Sequence, residues 1–520
     1  MTNVDKGSEY FDTDSLRYEI KKKAIRGGGT MLLSRIVGLI IGTLSTVILA
    51  RLLTPGDFGL VTMVTAFSLL FGNVGLNGFT EAIIQKENIT QRQVSTVFWI
   101  GIAISIGLAI FFSGCSPLLA RFYKEPRLIS IAILLSIGFI FNALATEHFA
   151  LIMRNMQFHK IMVNEIISGV LSAGIAIWMA FNGFGYWALV ARQLSSPVVS
   201  AVCVWLQCPW RPGLPARDPE VRPIIRFAIK TFGNFFVNYF GRNLDKILLG
   251  RKWGSQELGN YDRAYYLFVM PVNQLVAPLS GVALSTLSKL RNDPERYKIY
   301  YIKALSLLCL IGMLVSVILT ITGRDIILVL LGPQWQKTGQ IFSALGPAIG
   351  ITLIYGTIGW LHLSQGSPGR WLKWNIVAFV FTVLSLIAGL PFGGLGIAIA
   401  YSLSFYILTW PGIWYAAKPM GLRLGQVWKA IWRFFAAAML SGLATWWAIN
   451  KVHFILRFME HVHILVRIGL TAVLCTVLYL VSIIILYGSI MVILDMSAVL
   501  KMMMLGLKIG RKAIIENAED

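Results

Sequence analysis

Long apolar runs alternate with short polar connections from about residue 29 to about residue 488, and most runs reach the roughly 20 residues that a helix needs to cross a bilayer. The pattern predicts about fourteen transmembrane helices, over 29–52, 58–83, 94–115, 128–152, 161–182, 184–206, 223–250, 259–286, 302–322, 338–362, 372–390, 393–416, 427–449 and 464–488. Asn, Arg, Asp, Lys or Pro interrupts the second, seventh and eighth. A backbone in lipid must satisfy its own polar groups, so the expected fold class is an all-α polytopic membrane protein.

Composition removes the soluble alternatives. Of 520 residues, 56% are hydrophobic and 13% charged, with a mean hydropathy of +0.69, which leaves too little polar surface for a water-soluble chain. Charge then sets orientation. An even span count places about 29 Lys and Arg on one side and about 12 on the other, and the basic side stays in the cytoplasm. That side holds Lys21, Lys22, Lys23 and Arg26 before the first span, Arg211, Arg217, Arg222 and Arg226 midway, and Lys418, Arg423, Lys429 and Arg433 later. The net charge of +22 is explained by these loops. Bases spread over many short loops without an aromatic platform argue against nucleic acid as a partner; the expected surroundings are a lipid bilayer.

Residues 1–28 carry acids and no short apolar region before a small-residue cleavage site, and read as a cytoplasmic leader. In 489–520, Lys501, Lys508, Arg511 and Lys512 alternate with Met, Leu and Ile, as in an amphipathic tail lying on the inner leaflet. The five cysteines lie in or beside spans without metal-ligand spacing, and read as core filler.

One motif occurs twice. Ile48-Leu49-Ala50-Arg51, followed by Asp57-Phe58-Gly59, returns as Leu248-Leu249-Gly250-Arg251, followed by Glu257-Leu258-Gly259. The offset of about 200 residues predicts two pseudo-symmetric six-helix lobes, 29–206 and 223–416, joined by the Pro-rich linker 207–222. The last two spans, 427–488, are an addition to the C-terminal side. Parallel repeats of this kind suit a transporter that works by alternating access.

Charges inside spans cost about 2.5–3.5 kcal/mol each on insertion scales, so each needs a partner or a wet cavity. Thr231, Asn234, Asn238, Arg242 and Asp245 follow spacings that keep them on one stripe of the seventh span. Arg242 and Asp245 either neutralise one another or line a cavity, with Arg242, Asn234 and Asn238 meeting substrate and Asp245 positioning the cation or carrying a coupling proton. Arg35 shares a face of the first span with Gly38, Gly42 and Ser45, where a cation has room beside small residues or simply snorkels to the interface. Glu165 and Lys230 fall in the inner third of their spans and form a possible charge pair, with interfacial placement the plainer reading. Arg51 and Arg251 read as interface anchors, and Trp205, Trp210, Trp371, Trp374, Trp410, Trp414, Trp428 and Trp432 as an interfacial belt. Pro271 and Pro278 should kink the eighth span.

The six histidines form no ligand set and no nucleotide loop is present, so neither an enzyme nor a bound cofactor is expected. A membrane polysaccharide polymerase or glycosyltransferase is the enzyme alternative, disfavoured by short outer connections.

Leu33-Ser34-Arg35-Ile36-Val37-Gly38, with Ala50-Arg51-Leu52-Leu53-Thr54-Pro55-Gly56-Asp57-Phe58-Gly59, resembles the polysaccharide-transporter branch of the multidrug, oligosaccharidyl-lipid and polysaccharide exporter superfamily. Arg242-Asn243-Leu244-Asp245 and Leu258-Gly259-Asn260-Tyr261-Asp262-Arg263-Ala264-Tyr265 agree in the second lobe. The resemblance implies a bacterial inner-membrane flippase, and the charge asymmetry puts both termini in the cytoplasm. It would move undecaprenyl-diphosphate-linked oligosaccharides outward for exopolysaccharide, capsule or O-antigen assembly, in company with a polymerase and chain-length machinery. It also implies a cavity arginine, for which Arg35 is the matching position. A drug or cation antiporter of the same superfamily is the transport alternative.

Overall fold

The computed structural model describes residues 20–72, 79–86, 89–216, 221–452 and 462–489. The side chains of 20–26, 230–234, 236–238, 240–242 and 275–278 lie outside the description, as do the leader before residue 20 and the tail after 489. Every described element is a helix. The chain divides into two compact units at Gly259 and Asn260.

The first unit comprises α1 (Ile20–Leu52), α2 (Pro55–Gly72), α3 (Phe79–Gln85), α4 (Gln91–Gly114), α5 (Ser116–Tyr123), α6 (Leu128–Arg154), α7 (Phe158–Phe181), α8 (Trp187–Gln207) and the first part of α9 (Val221–Lys289). Thr90 starts α4 with a reciprocal cap: its hydroxyl accepts the Gln93 amide at 3.4 Å, and the Gln93 side chain accepts the Thr90 amide at 3.3 Å. Lys124 ends α5 in left-handed geometry, at φ 58°. Helix α7 packs on both α1 and α8. A core of Ile83, Val94, Phe98, Leu151 and Val204 joins α3, α4, α6 and α8.

The segment after α8 is stitched along α4. Trp99 Nε1 donates to the Gly213 carbonyl at 2.9 Å, Gln91 Nε2 donates to the Arg211 carbonyl at 2.8 Å, and the Gly213 amide donates to Ser95 Oγ at 2.9 Å. Trp210, expected in the interfacial belt, is instead fully buried there, with its indole N–H donated to Gln91 Oε1. A satisfied N–H lets an indole enter a core as readily as an interface. Compact packing of the first unit continues past 207–222 because the following helix also docks on it: Tyr239 Oη donates to the Thr65 carbonyl at 3.0 Å.

The second unit holds the rest of α9 with α10 (Pro294–Leu331), α11 (Gln336–Leu345), α12 (Ala348–Ser364), α13 (Pro368–Gly389), α14 (Gly393–Ala417), α15 (Leu424–Lys451) and α16 (Ile464–Tyr487). Helices α10 and α12 meet through glycines, a Cβ on Gly312 lying 3.2 Å from Gly350 Cα. Buried hydroxyls bridge the same pair, Tyr301 to Thr357 at 2.9 Å and Tyr297 to Ser364 at 2.6 Å. Helices α15 and α16 pack on α10, and Tyr479 Oη donates to the Leu310 carbonyl at 3.2 Å. Trp374 also leaves the expected belt: it is buried with Nε1 3.2 Å from Tyr355 Oη, whereas Trp414 and Trp428 stay about half exposed.

Among the described residues, nine helices are long and apolar enough to cross a membrane, or eleven if each of two bent pairs is one span, against about fourteen expected. The expected spans seven and eight lie in α9, whose backbone leaves helical geometry at Gly254 (φ 80°, ψ −173°) and bends by 44° between Gln274 and Leu279. The second bend falls within the Pro271–Pro278 interval, as a proline kink requires. Expected span ten bends by 50° between α11 and α12, at Gly346-Pro347. Spans eleven and twelve form one 53-residue apolar stretch, folded as α13 packed on α14, and α15 is not among the nine.

Candidate functional site

The repeated motif begins two helices. After Arg51 at the end of α1, Thr54 precedes α2 and binds Asp57 reciprocally: its amide donates to Asp57 Oδ2 at 2.9 Å, its hydroxyl to the same oxygen at 2.7 Å, and the Asp57 amide donates back at 3.3 Å. Pro55 takes the first helical position, where its missing N–H costs nothing. In the second copy Gly254 provides the reversal with its positive φ. The two copies then pack reciprocally. A Cβ on Gly59 would lie 1.7 Å from the Ser255 carbonyl oxygen, and one on Gly259 would lie 1.8 Å from the Pro55 carbonyl oxygen. Capping thus explains Asp57, and close backbone approach explains Gly59 and Gly259. Arg251 rests over the Phe122 ring, 5.4 Å from its centroid.

Arg35 is exposed on α1. On the same face a Cβ on Gly38 or Gly42 would meet nothing within 4 Å, so the stripe is open beside the glycines, whereas Ser45 at its far end is buried. Immediately before Arg35, buried Ser34 donates its hydroxyl to Glu165 Oε2 of α7. The sequence offered Lys230 as one partner for Glu165, beside plain interfacial placement; the described partner is Ser34, and the Lys230 side chain lies outside the description. Next to Glu165, Asn164 is buried and donates to Ser200 Oγ of α8 at 3.0 Å. Glu165 therefore meets α1 through Ser34, while Arg35, the next residue in α1, is exposed.

The stripe on α9 is described only at its end. Its backbone is helical, while the side chains of Asn234, Asn238 and Arg242 lie outside the description. Asp245 is buried and accepts the Lys246 amide at 2.8 Å. Further along α9, Glu257 and Asp262 are also buried, Asp262 pairing with adjacent Arg263, whose Nε lies 3.2 Å from Oδ2. In α6, Glu147 is 1% exposed, and neither of its oxygens has a hydrogen-bond partner among the described residues. Its neighbour His148 sits against Trp205 and Trp210, with ring centroids 4.7 and 5.0 Å away. Nothing in the apolar period of α6 distinguished this acid from an interfacial one.

These helices have counterparts among known proteins. The family model described as polysaccharide biosynthesis protein matches residues 48–340, more than half of the 520-residue chain and both copies of the motif. This chain belongs to that family.

Relatives of this family member include the teichuronic acid biosynthesis protein TuaB of Bacillus subtilis, 24% identical over 381 residues, 72% of this chain and 79% of that protein. The lipopolysaccharide biosynthesis protein WzxC of Escherichia coli is 24% identical over 421 residues, 79% and 85% of the two chains. The succinoglycan biosynthesis transport protein ExoT of Rhizobium meliloti is 25% identical over 356 residues, 67% and 70%. Among solved structures, the lipid II flippase MurJ in an inward closed conformation aligns with a TM-score of 0.70 at 15% identity, over 89% of this chain and 99% of that one. An inward-facing multidrug resistance transporter of the MATE family aligns with a TM-score of 0.56 at 15% identity, over 74% and 98%. The family member thus has the all-helical, multi-pass fold of these membrane proteins.

Proposed function

We propose that this protein is a flippase that moves lipid-linked oligosaccharides from the inner to the outer leaflet of a bacterial inner membrane, by alternating access, for the assembly of a surface polysaccharide. The observation that carries the reading is the fold: 89% of the chain follows a lipid II flippase, whose name describes a lipid-linked substrate. The polysaccharide-biosynthesis family and the names of TuaB, WzxC and ExoT support the glycan class.

Arg35 is the residue we assign to the diphosphate. It is a permanent cation with a planar donor fork suited to phosphate oxygens, and it stands on a stripe with open space beside it. Arg242, with Asn234 and Asn238, is assigned to the same substrate on the strength of its sequence stripe alone. Asp245, Glu165 and Lys230 are assigned to setting the charge balance around those groups. The protein itself performs no covalent step in this reading.

The test is genetic and chemical. Deleting the gene should trap the lipid-linked oligosaccharide in the inner leaflet, where an external glycosidase cannot reach it, and wild-type protein should restore access. Normal surface polysaccharide in the deletion strain, with no second carrier induced, would refute the assignment.

A further inference from the structure

In the second unit, α10, α11, α15 and α16 surround a half-open cavity of about 510 Å³, within the range of small-molecule sites. Two cations and one acid reach it: Arg324 and Asp325 from the last two turns of α10, and Arg467 from the first turn of α16. Arg467 and Asp325 form a two-pronged pair, Nε to Oδ2 at 2.9 Å and Nη2 to Oδ1 at 2.5 Å. That pair staples α16 to α10, which explains two of the three charges.

It leaves the rest without an explanation. Arg324 is exposed and has no ion-pair partner among the described residues. Trp446, in the last two turns of α15, lines the same cavity with 53% of its surface open. Ser343 presents a buried hydroxyl without a hydrogen-bond partner among the described residues, and Asn450 adds an amide. The charged lining carries a net single positive charge from Arg324, Arg467 and Asp325. A flat indole, an unpaired guanidinium and a carboxylate–guanidinium pair offering acceptors beside donors together match a polyhydroxylated ring with one negative charge.

We infer that this cavity binds an acidic monosaccharide unit of hexuronate type, its ring against Trp446, its carboxylate on Arg324 and its hydroxyls on the Asp325–Arg467 pair. The inference rests on the flippase reading, in which the sugar is one unit of the carried glycan. An anionic lipid headgroup would use Arg324 but would have no need of the indole or of the hydroxyl-matching pair.

The experiment uses the full-length protein in phosphatidylethanolamine nanodiscs, titrated separately with glucuronate, glucose and inorganic phosphate by saturation-transfer NMR. Glucuronate should bind at least about tenfold more tightly than glucose. Trp446→Ala should weaken both sugars about tenfold. Arg324→Gln should remove only the preference for the acid, and Arg324→Lys should retain it. Each variant is compared with wild type in thermal unfolding, and Trp446→Phe replaces Trp446→Ala if the latter unfolds. Absent glucuronate binding, binding unchanged in the folded variants, or displacement by phosphate at equal concentration would each overturn the inference. Wild-type protein that restores export yet binds no glucuronate would sink this site and leave the flippase reading standing. Glucuronate binding in a protein whose deletion leaves export intact would do the reverse.

Discussion

Gly259 and Pro55 are in backbone contact: a Cβ on Gly259 would lie 1.8 Å from the Pro55 carbonyl oxygen. The partner contact, Gly59 on Ser255, is just as close at 1.7 Å. Backbone meets backbone at both places, so no side-chain rotation relieves an added methyl. Gly59→Ala and Gly259→Ala should each cost at least the about 1–3 kcal/mol of ordinary overpacking, seen as lost abundance and a lower unfolding temperature. Gly38→Ala, which meets nothing within 4 Å, is the control and should fold normally. Normal stability of both motif variants would contradict the packing.

Arg35 separates binding from structure. Arg35→Ala should reduce export at least about tenfold with unchanged membrane abundance, and Arg35→Lys should recover part of it because charge returns without the planar fork. Ser34→Ala removes the donor to Glu165 and should act more weakly. Full export by Arg35→Ala would mean that the guanidinium only snorkels.

The Asp325–Arg467 pair is partly buried, with side-chain exposures of 26% and 33%. Removing either partner leaves a charge at the cavity wall, so Asp325→Asn and Arg467→Gln should each destabilise the protein, while the double variant should lose less than their sum. A coupling of about 0.5–3 kcal/mol is expected from unfolding measurements. Strict additivity would show that the two helices are not held by this contact.

Between α5 and α6, outside the spans, Arg127 donates to both oxygens of Glu125, at 2.7 and 2.9 Å. Its hydrogen bonds hold the Glu125 carboxyl below its ordinary value, against the opposing effect of burial. A lowered folded pKa gives stability that is present above the unfolded value and is lost as pH falls through the folded one. Arg127 is half exposed, so solvent screening keeps the effect to at most about 1 kcal/mol. Arg127→Gln should therefore lower stability at neutral pH and flatten its acid dependence below about pH 4. An unchanged acid limb would reject the pairing.

Orientation is open to direct labelling. A cysteine at position 217, in a background without the native five, should resist membrane-impermeant thiol reagents in intact cells if the basic linker is cytoplasmic. Rapid labelling would invert the topology.

The chain's hydropathy determined the membrane and the helix as its unit of structure, because in lipid each segment must close its own backbone hydrogen bonds and that requirement is local. The repeat at Arg51 and Arg251 was legible because Arg, an acid and Gly recur at the same spacing in both copies. Why both copies keep their last glycine was not legible, since Gly59 and Gly259 answer to carbonyls about 200 residues away. Trp210 and Trp374 read as belt residues because apolar period and nearness to a span end cannot tell an interface from a core; the neighbours Gln91 and Tyr355 decided for the core. Likewise Asp325 and Arg467 stand 142 residues apart in the chain, each a plausible interfacial charge by itself. Only the packing of α16 on α10 made them a pair, because azimuth around a helix depends on what the helix packs against, and a single sequence states the face but not its neighbour.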